Sequence, residues 1–209
     1  MNYIDVLNDS KIIRIYGEID KTNPYPFNHG LKHINNVLEN VNRMVEMIEI
    51  SDIDKRDLLI ATVLHDTGRL FDDANHAKAS SSFIKEYLNG KIEIESIEKI
   101  INLVSNHGTG GDSKKKDFLS KILIFCDKMD FSKKRLVYEC EEKFGEVIYS
   151  IIEKVNFNIL DKTLIVEVEG LKEKDIEAFE ESVFYPKVVK AIKIFSEEIR
   201  ANYKIRYIQ

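Results

Sequence analysis

Residues 58–70, LLIATVLHDTGRL, constrain the fold of this chain more than any other stretch. Seven apolar or small residues in succession lead directly to the adjacent pair His65 and Asp66. An uninterrupted run of this kind predicts a buried helix. A buried imidazole or carboxylate costs free energy unless it is paired or bound to a metal ion. The stretch therefore predicts a core helix that carries two potential ligands into the interior of the protein.

The composition predicts a cytoplasmic globular protein. The chain has 209 residues, enough for one domain with a substantial core. Its formal charge of −5 argues against a nucleic-acid polymer or an anionic membrane as the partner, but leaves room for a local site that binds a small phosphorylated ligand. Neither a secretory signal nor a membrane span is expected from the hydropathy pattern. Two cysteines are too few for a disulfide framework, which favours a reducing compartment.

The spacing of apolar residues predicts an all-α fold with one small β-hairpin. Only three prolines and nine glycines interrupt a sequence rich in Ile, Leu, Glu and Lys. Asn28 is the predicted N-cap of one helix, and Ser51 begins the helix that contains the opening stretch. The other helices are predicted over 1–20, 29–50, 75–89, 92–106, 118–131, 132–153, 172–183 and 186–205. Residues 155–169 alternate apolar and polar side chains around Asp161 and Lys162, which predicts the hairpin.

The histidines and two of the aspartates form a pattern that predicts a metal site. The five histidines are His29, His33, His65, His76 and His107. In chain order, His33, the His65–Asp66 pair and Asp127 each fall on a different predicted helix. Imidazole and carboxylate together suit Zn, Fe, Ni, Co, Mn or Mg, and four such ligands leave positions open for water and substrate.

Three segments around these residues, HINNV, VLHDTGR and FCDKMDF, resemble the HD superfamily of metal-dependent phosphohydrolases. The resemblance covers about residues 28–131 and implies a helical bundle whose ligands are His33, His65, Asp66 and Asp127. It also implies that His65, Asp66 and Asp127 act in catalysis. Residues 132–209, with the remaining helices and the hairpin, would be appended to this core within a single HD-like domain spanning 1–209.

The resemblance leaves the number of metal ions open. Some members of the superfamily bind two ions, and His76 and His107 stand where the additional histidines are found. The two-metal members usually have a His–His pair where this chain has His107 and Gly108. His76 and His107 are therefore candidates either for a second ion or for contacts with substrate phosphate and proton transfer. The expected cofactor is one or two divalent ions.

Basic residues near the ligand segments are candidates for binding the substrate. Arg69 closely follows the His–Asp pair, Lys133 and Lys134 follow FCDKMDF, and His29 shares a helix face with His33. The chain lacks the Glu–Asp pair of the alarmone hydrolases and the GYP signature of the cyclic-dinucleotide phosphodiesterases, so neither substrate is assigned.

The resemblance implies hydrolysis of a phosphomonoester or phosphodiester by metal-activated water. The expected substrate is a nucleotide or another small phosphorylated metabolite. Two alternatives remain open: a non-catalytic sensor that binds a nucleotide in an HD-type pocket, and a di-iron oxygenase, because some HD-type proteins activate oxygen at two irons.

Overall fold

The computed structural model describes residues 1–23, 27–136 and 147–208. The chain divides into two compact units, one formed by 1–23 and 29–124 and the other by 24–28 and 125–209. The described residues are mainly helical, with a small C-terminal sheet, as the sequence predicts. None of the helices in these residues is long and apolar enough to cross a membrane.

The first unit consists of helices joined by short turns. Its helices are α1 (Tyr3–Leu7), α2 (Ser10–Thr22), α3 (Leu31–Met47), α4 (Asp52–Leu64), α5 (His76–Leu88) and α6 (Ile94–Ser105), followed by the start of α7 (Phe118–Lys128), within which the division into units falls. Short 3₁₀ turns lie at Thr67–Leu70 and Ser113–Lys115.

Helix α4 forms the centre of the first unit. Its last eight residues, from Asp57 to Leu64, are all buried, which is the burial expected of a helix that is apolar on every side. Ser51 caps its N-terminus by accepting a hydrogen bond from the Asp54 amide, as predicted. Near its other end, the Tyr16 hydroxyl of α2 donates to the Val63 carbonyl. The predicted core helix is therefore confirmed, and it ends immediately before His65.

Polar contacts of Arg56 and Asp57 tie α4 to α6. Asp57 is fully buried, and its Oδ1 lies 2.9 Å from a guanidinium nitrogen of Arg56. The same guanidinium group donates to the Ser96 hydroxyl of α6 at 2.6 Å, and Lys99 Nζ of α6 lies 3.8 Å from Asp57 Oδ2. The two basic groups offset part of the cost of burying the Asp57 charge.

The second unit contains α8 (Val147–Ser150), α9 (Glu173–Glu180), α10 (Tyr185–Glu198) and a three-stranded sheet. Strands β1 (Lys154–Leu160) and β2 (Thr163–Glu169) form the predicted hairpin, with Phe157 opposite Val166. Strand β3 (Asn202–Ile208) pairs with β2 in parallel, so the sheet order is β1-β2-β3. Its inward face is filled by Phe157, which packs edge-on against Phe125.

Several predicted helix boundaries are wrong. The last helix ends at Glu198, and residues 202–208 form β3, because pairing along one side with β2 offers this segment backbone hydrogen bonds over its whole length. The predicted helix over 1–20 is two helices, since Asp9 accepts a hydrogen bond from the Lys11 amide and caps a new helix that begins at Ser10. Within the predicted helix over 132–153, the described residues form a 3₁₀ turn at Lys133–Arg135 and the short α8, and the prediction for 137–146 lies outside the described part of the chain.

The N-cap of α3 is Gly30 rather than Asn28. A Cβ atom at position 30 would lie 2.0–2.4 Å from the carboxylate of Asp20, so the acidic group occupies the space that a side chain would need. A carboxylate at this position also suits the positive end of the helix dipole. Asp20 of α2 therefore supports the start of the helix that carries His33.

Candidate metal centre

The end of α4 delivers the His–Asp pair. His65 is the C-cap of the helix, and at Asp66 the chain leaves the helical conformation before the 3₁₀ turn at Thr67–Leu70. Both side chains are buried, His65 at 0% and Asp66 at 1% exposure. The apolar run therefore ends as predicted, with an imidazole and a carboxylate in the interior.

One oxygen of Asp66, Oδ2, faces nitrogen atoms of four side chains. The distances from Asp66 Oδ2 are 2.8 Å to Arg69 Nε, 3.0 Å to His29 Nδ1, 3.7 Å to His65 Nε2 and 3.9 Å to His33 Nε2. His33 reaches this position from α3, where it is fully buried. Four of the predicted site residues, two proposed as metal ligands and two as substrate contacts, thus meet at one carboxylate oxygen.

The other oxygen of Asp66 faces two further histidines. Asp66 Oδ1 lies 3.5 Å from His76 Nε2 and 3.8 Å from His107 Nε2. His76 is the first residue of α5, and His107 follows the C-terminus of α6. All five histidines of the chain therefore surround the single carboxylate of Asp66.

Backbone carbonyl groups fix the tautomers of three of these histidines. In each ring Nδ1 lies within hydrogen-bonding distance of the carbonyl oxygen three residues earlier: His65 and Thr62 at 2.8 Å, His76 and Asp73 at 2.9 Å, and His107 and Val104 at 2.6 Å. A carbonyl oxygen only accepts, so Nδ1 must carry the proton. In the neutral ring, the lone pair then belongs to Nε2, the nitrogen that faces Asp66. Metal-binding histidines are commonly oriented in this way.

This arrangement requires a positive charge among the facing atoms. His76 Nε2 and His107 Nε2 are only 3.1 Å apart, although the carbonyl contacts leave a lone pair on each in the neutral rings. Asp66 Oδ1 is buried and accepts no hydrogen bond from any residue of the described part of the chain. A proton or a metal ion between these atoms would remove the repulsion, so the donor set fits a cation.

Within the first unit, two trios of ligand atoms have spacings that suit metal ions. The trios are His29, His33 and Asp66 on one side, and His65, Asp66 and His107 on the other. Within each trio the ligand atoms lie within 4.8 Å of one another. Atoms bound to one ion at about 2.1 Å are separated by up to about 4.2 Å, so a small contraction would complete either site.

Asp66 is ionised at neutral pH. Burial raises the pKa of its carboxyl group, but the Arg69 guanidinium and the neighbouring histidine rings outweigh that effect and hold the pKa well below its usual range. The cluster thus contains one fixed negative charge opposed by a guanidinium group.

Three side chains of the cluster are partly exposed to solvent. The side chains of His33, His65, Asp66 and His107 are at most 4% exposed, whereas those of His29, Arg69 and His76 are 14%, 17% and 23% exposed. Arg69 also pairs with Asp73, at 2.5 Å between Nη1 and Oδ1. His29, Arg69 and His76 therefore form the accessible edge of the cluster.

The remaining predicted site residues lie in the second unit. Asp127 is buried in the last turn of α7 and pairs with Lys128. Lys133 pairs with Glu153 on the surface, and Lys134 is exposed. Their assignment as metal ligand and substrate contacts stays a prediction.

Two supporting residues, Ser80 and Lys116, were not predicted. Ser80 is fully buried on α5 and contacts the His–Asp turn. The Lys116 ammonium donates to the Asn106 and Gly108 carbonyls, at 2.7 and 2.9 Å, on either side of His107. Nothing in the runs SSS and KKK distinguishes either residue from its neighbours, because the distinguishing contacts are made to residues distant in the sequence.

Replacing Lys116 by methionine is expected to weaken Mn²⁺ binding about tenfold, since groups that orient metal-binding histidines typically contribute about 10- to 100-fold to affinity. The change removes both hydrogen bonds that hold the segment around His107, while it retains an unbranched side chain. Calorimetric titration measures the effect. The matched control is Lys115→Met, on the adjacent exposed position. An equal loss in both variants would show that charge, and not the placement of His107, is responsible.

The first unit is helical and gathers five histidines around one buried aspartate. The chain therefore has a candidate metal centre. The family profile described as HD domain matches residues 30–132, a segment that includes His33, His65, Asp66 and Asp127. Through this segment the chain belongs to the HD domain family. No curated protein showed significant similarity to the chain.

Proposed function

We propose that the protein is a metal-dependent phosphohydrolase that cleaves a phosphomonoester or phosphodiester. The observation that carries this proposal is the set of imidazoles whose Nδ1 protons are fixed by carbonyl groups and whose Nε2 atoms face one ionised, buried carboxylate. Proteins of the HD domain family are generally hydrolases of this class.

The proposed ligands of the first ion are His33, His65, Asp66 and Asp127. His33 and His65 lie close to Asp66, and the assignment of Asp127 rests on its place in the HD domain match. His76 and His107 face the second oxygen of Asp66, which supports a role either for a second ion or for contacts with the phosphate. A bound divalent ion would lower the pKa of a water molecule and polarise a phosphoryl oxygen.

The accessible edge of the cluster is proposed to receive the substrate. Arg69 is held between Asp66 and Asp73, so its guanidinium group is already oriented toward the cluster before a phosphate arrives. A guanidinium group binds two phosphate oxygens at once, and it stabilises negative charge that develops on them. His29 and His76 provide imidazoles on the same accessible side.

The proposed substrate is a small phosphorylated metabolite, in particular a nucleotide. Support comes from the net charge of −5, which disfavours long polyanions, and from the narrow accessible edge formed by three side chains. We also propose a cytoplasmic location, because two cysteines are too few for a disulfide framework and favour a reducing compartment.

Metal addition is expected to raise the thermal stability of the protein. An ion present at a hundred times its Kd stabilises the folded state by about 2.7 kcal/mol, because it binds the native cluster and not the unfolded chain. The measurement is the unfolding midpoint of chelator-treated protein with Mn²⁺, Mg²⁺, Ni²⁺, Co²⁺, Fe²⁺ or Zn²⁺, together with elemental analysis of the protein as purified. No shift with any of the six ions would contradict a metal centre.

Hydrolysis is then tested by phosphate release and product analysis with a panel of nucleoside monophosphates, cyclic nucleotides and sugar phosphates, each with the ions that bind. Metal-dependent turnover supports the proposal. Tight nucleotide binding without turnover under every ion would favour a sensor, and two irons per chain with oxygen consumption would favour an oxygenase.

A further inference from the structure

We infer that Ser80 is a positioning residue of the metal centre, which it serves by fixing the His–Asp turn to helix α5. The inference rests on the proposed metal site and goes beyond it by assigning a residue that binds neither metal nor substrate. Ser80 is fully buried, and its hydroxyl lies within hydrogen-bonding distance of two backbone groups, one on each side of Asp66.

The hydroxyl of Ser80 completes the end of α4. It donates to the His65 carbonyl at 2.8 Å and accepts from the Gly68 amide at 2.8 Å. Carbonyl groups in the last turn of a helix have no partner within that helix and need one elsewhere. Because Ser80 bonds to residues 65 and 68, it restrains the backbone on both sides of the carboxylate to which all the histidines turn.

Direct backbone contact reinforces this connection. A Cβ atom at Gly68 would lie 2.1 Å from the His76 carbonyl oxygen and 2.3 Å from the Ser80 amide nitrogen, so the turn rests against the first turn of α5. His76 is the first residue of that same helix. A change in how the turn sits on α5 would therefore alter the 3.5 Å distance between Asp66 Oδ1 and His76 Nε2.

The neighbouring Ser82 shows what a purely helical role looks like. The Ser82 hydroxyl donates to the Lys78 carbonyl, four residues earlier in its own helix, a pattern that is common for serine within helices. Ser81 bonds in the same way to Ala77, and its hydroxyl also lies 3.1 Å from that of Ser105 on α6, so it does not serve as the control. Ser80 instead bonds to a segment 12 to 15 residues earlier, and Ser82, which is exposed, supplies a matched control.

The test uses four variants. Ser80→Ala removes the hydroxyl, and Ser80→Cys keeps a similar size but forms only weak hydrogen bonds. Ser82→Ala is the matched control, and Ile84→Val destabilises the core at a buried position of the same helix while it removes one methylene-sized group and no hydrogen bond. The measurements are the Kd for Mn²⁺ by calorimetry, the unfolding midpoint of each metal-free variant, and the ¹⁵N chemical shifts of the histidine rings in the metal-free protein.

Both Ser80 variants are expected to weaken Mn²⁺ binding about tenfold and to shift the ring resonances of His65 and His76. Ser82→Ala and Ile84→Val should retain the Kd of the parent, even where Ile84→Val lowers the unfolding midpoint as much as Ser80→Ala does. Parent-like Kd values and ring resonances in Ser80→Ala and Ser80→Cys would overturn the inference. So would an equal loss of affinity in Ile84→Val, because general destabilisation would then explain the effect.

The two proposals fail in different ways. If the parent binds neither Mn²⁺ nor any of the other five ions, the proposed function fails. The ring resonances of the metal-free variants then still decide whether Ser80 positions the cluster. If the parent binds metal and the Ser80 variants bind it equally well, the proposed function stands and the inference about Ser80 fails.

Discussion

Replacing Asp66 by asparagine is expected to weaken Mn²⁺ binding by at least about a hundredfold and to reduce metal-dependent hydrolysis accordingly. The reason is that one carboxylate serves every histidine of the cluster: four nitrogens face its Oδ2 and two face its Oδ1. Loss of a group that merely orients a ligand typically costs about 10- to 100-fold in affinity, and Asp66 is proposed as a ligand itself. Calorimetry and phosphate-release assays measure the two effects.

The matched control for this change is Asp57→Asn, on helix α4, which ends just before the His–Asp pair. Asp57 is also fully buried and ion-paired, but its partners are Arg56 and Lys99 rather than histidines. Breaking a buried ion pair typically costs about 3–5 kcal/mol of stability. Asp57→Asn is therefore expected to be less stable than the parent and yet to bind Mn²⁺ with the same Kd. Unaltered metal binding in Asp66→Asn would remove this residue from the site.

Replacing Gly68 by alanine is expected to lower the free energy of unfolding by about 3 kcal/mol and to abolish Mn²⁺ binding. A Cβ atom at this position meets two backbone atoms of α5 at 2.1 and 2.3 Å, and backbone cannot move aside as the end of a flexible side chain can. Overpacking of a buried site typically costs about 1–3 kcal/mol, and a clash with rigid backbone lies at the upper end of that range. Denaturant unfolding and Mn²⁺ titration provide the measurements.

Gly17→Ala is the control for the glycine prediction. Gly17 lies within α2, and a Cβ atom there would meet nothing within 4 Å. Alanine is favoured over glycine inside a helix by about 0.5–1 kcal/mol, so this change is expected to stabilise the protein. A Gly68→Ala variant as stable as the parent would show that the turn and α5 are able to separate without cost.

The central helix and the burial of the His–Asp pair at its end could be predicted because both are encoded locally in the sequence. The uninterrupted run of apolar or small residues over 58–64 favours a buried helix, and the buried His–Asp pair that follows needs partners wherever the chain folds. The hairpin was equally predictable, since the alternation over 155–169 and its turn lie within one short segment.

The parts that could not be predicted depend on contacts between distant segments. The residues of β3 follow a helix without a proline or glycine to end it, and only pairing with β2, nearly forty residues earlier, makes them a strand. Ser80 and Lys116 resemble their neighbours in composition, and their distinguishing partners lie 8 to 15 residues away along the chain. The requirement for glycine at position 68 likewise depends on the close approach of α5, whose contacting residues lie 8 to 12 positions further along the chain.

The three histidines whose rings are oriented by carbonyl groups have a consequence for how the proposed metal would be acquired. Their orientation comes from main-chain hydrogen bonds, so their Nε2 atoms would keep the same positions with or without an ion. Loading and chelation would then be reversible exchange reactions on a folded protein, in contrast to small domains that fold only around their metal. A rigid cluster of this kind would select ions by their size and preferred coordination geometry. Among ions that fit equally well, the cellular concentration of each would determine which one is bound.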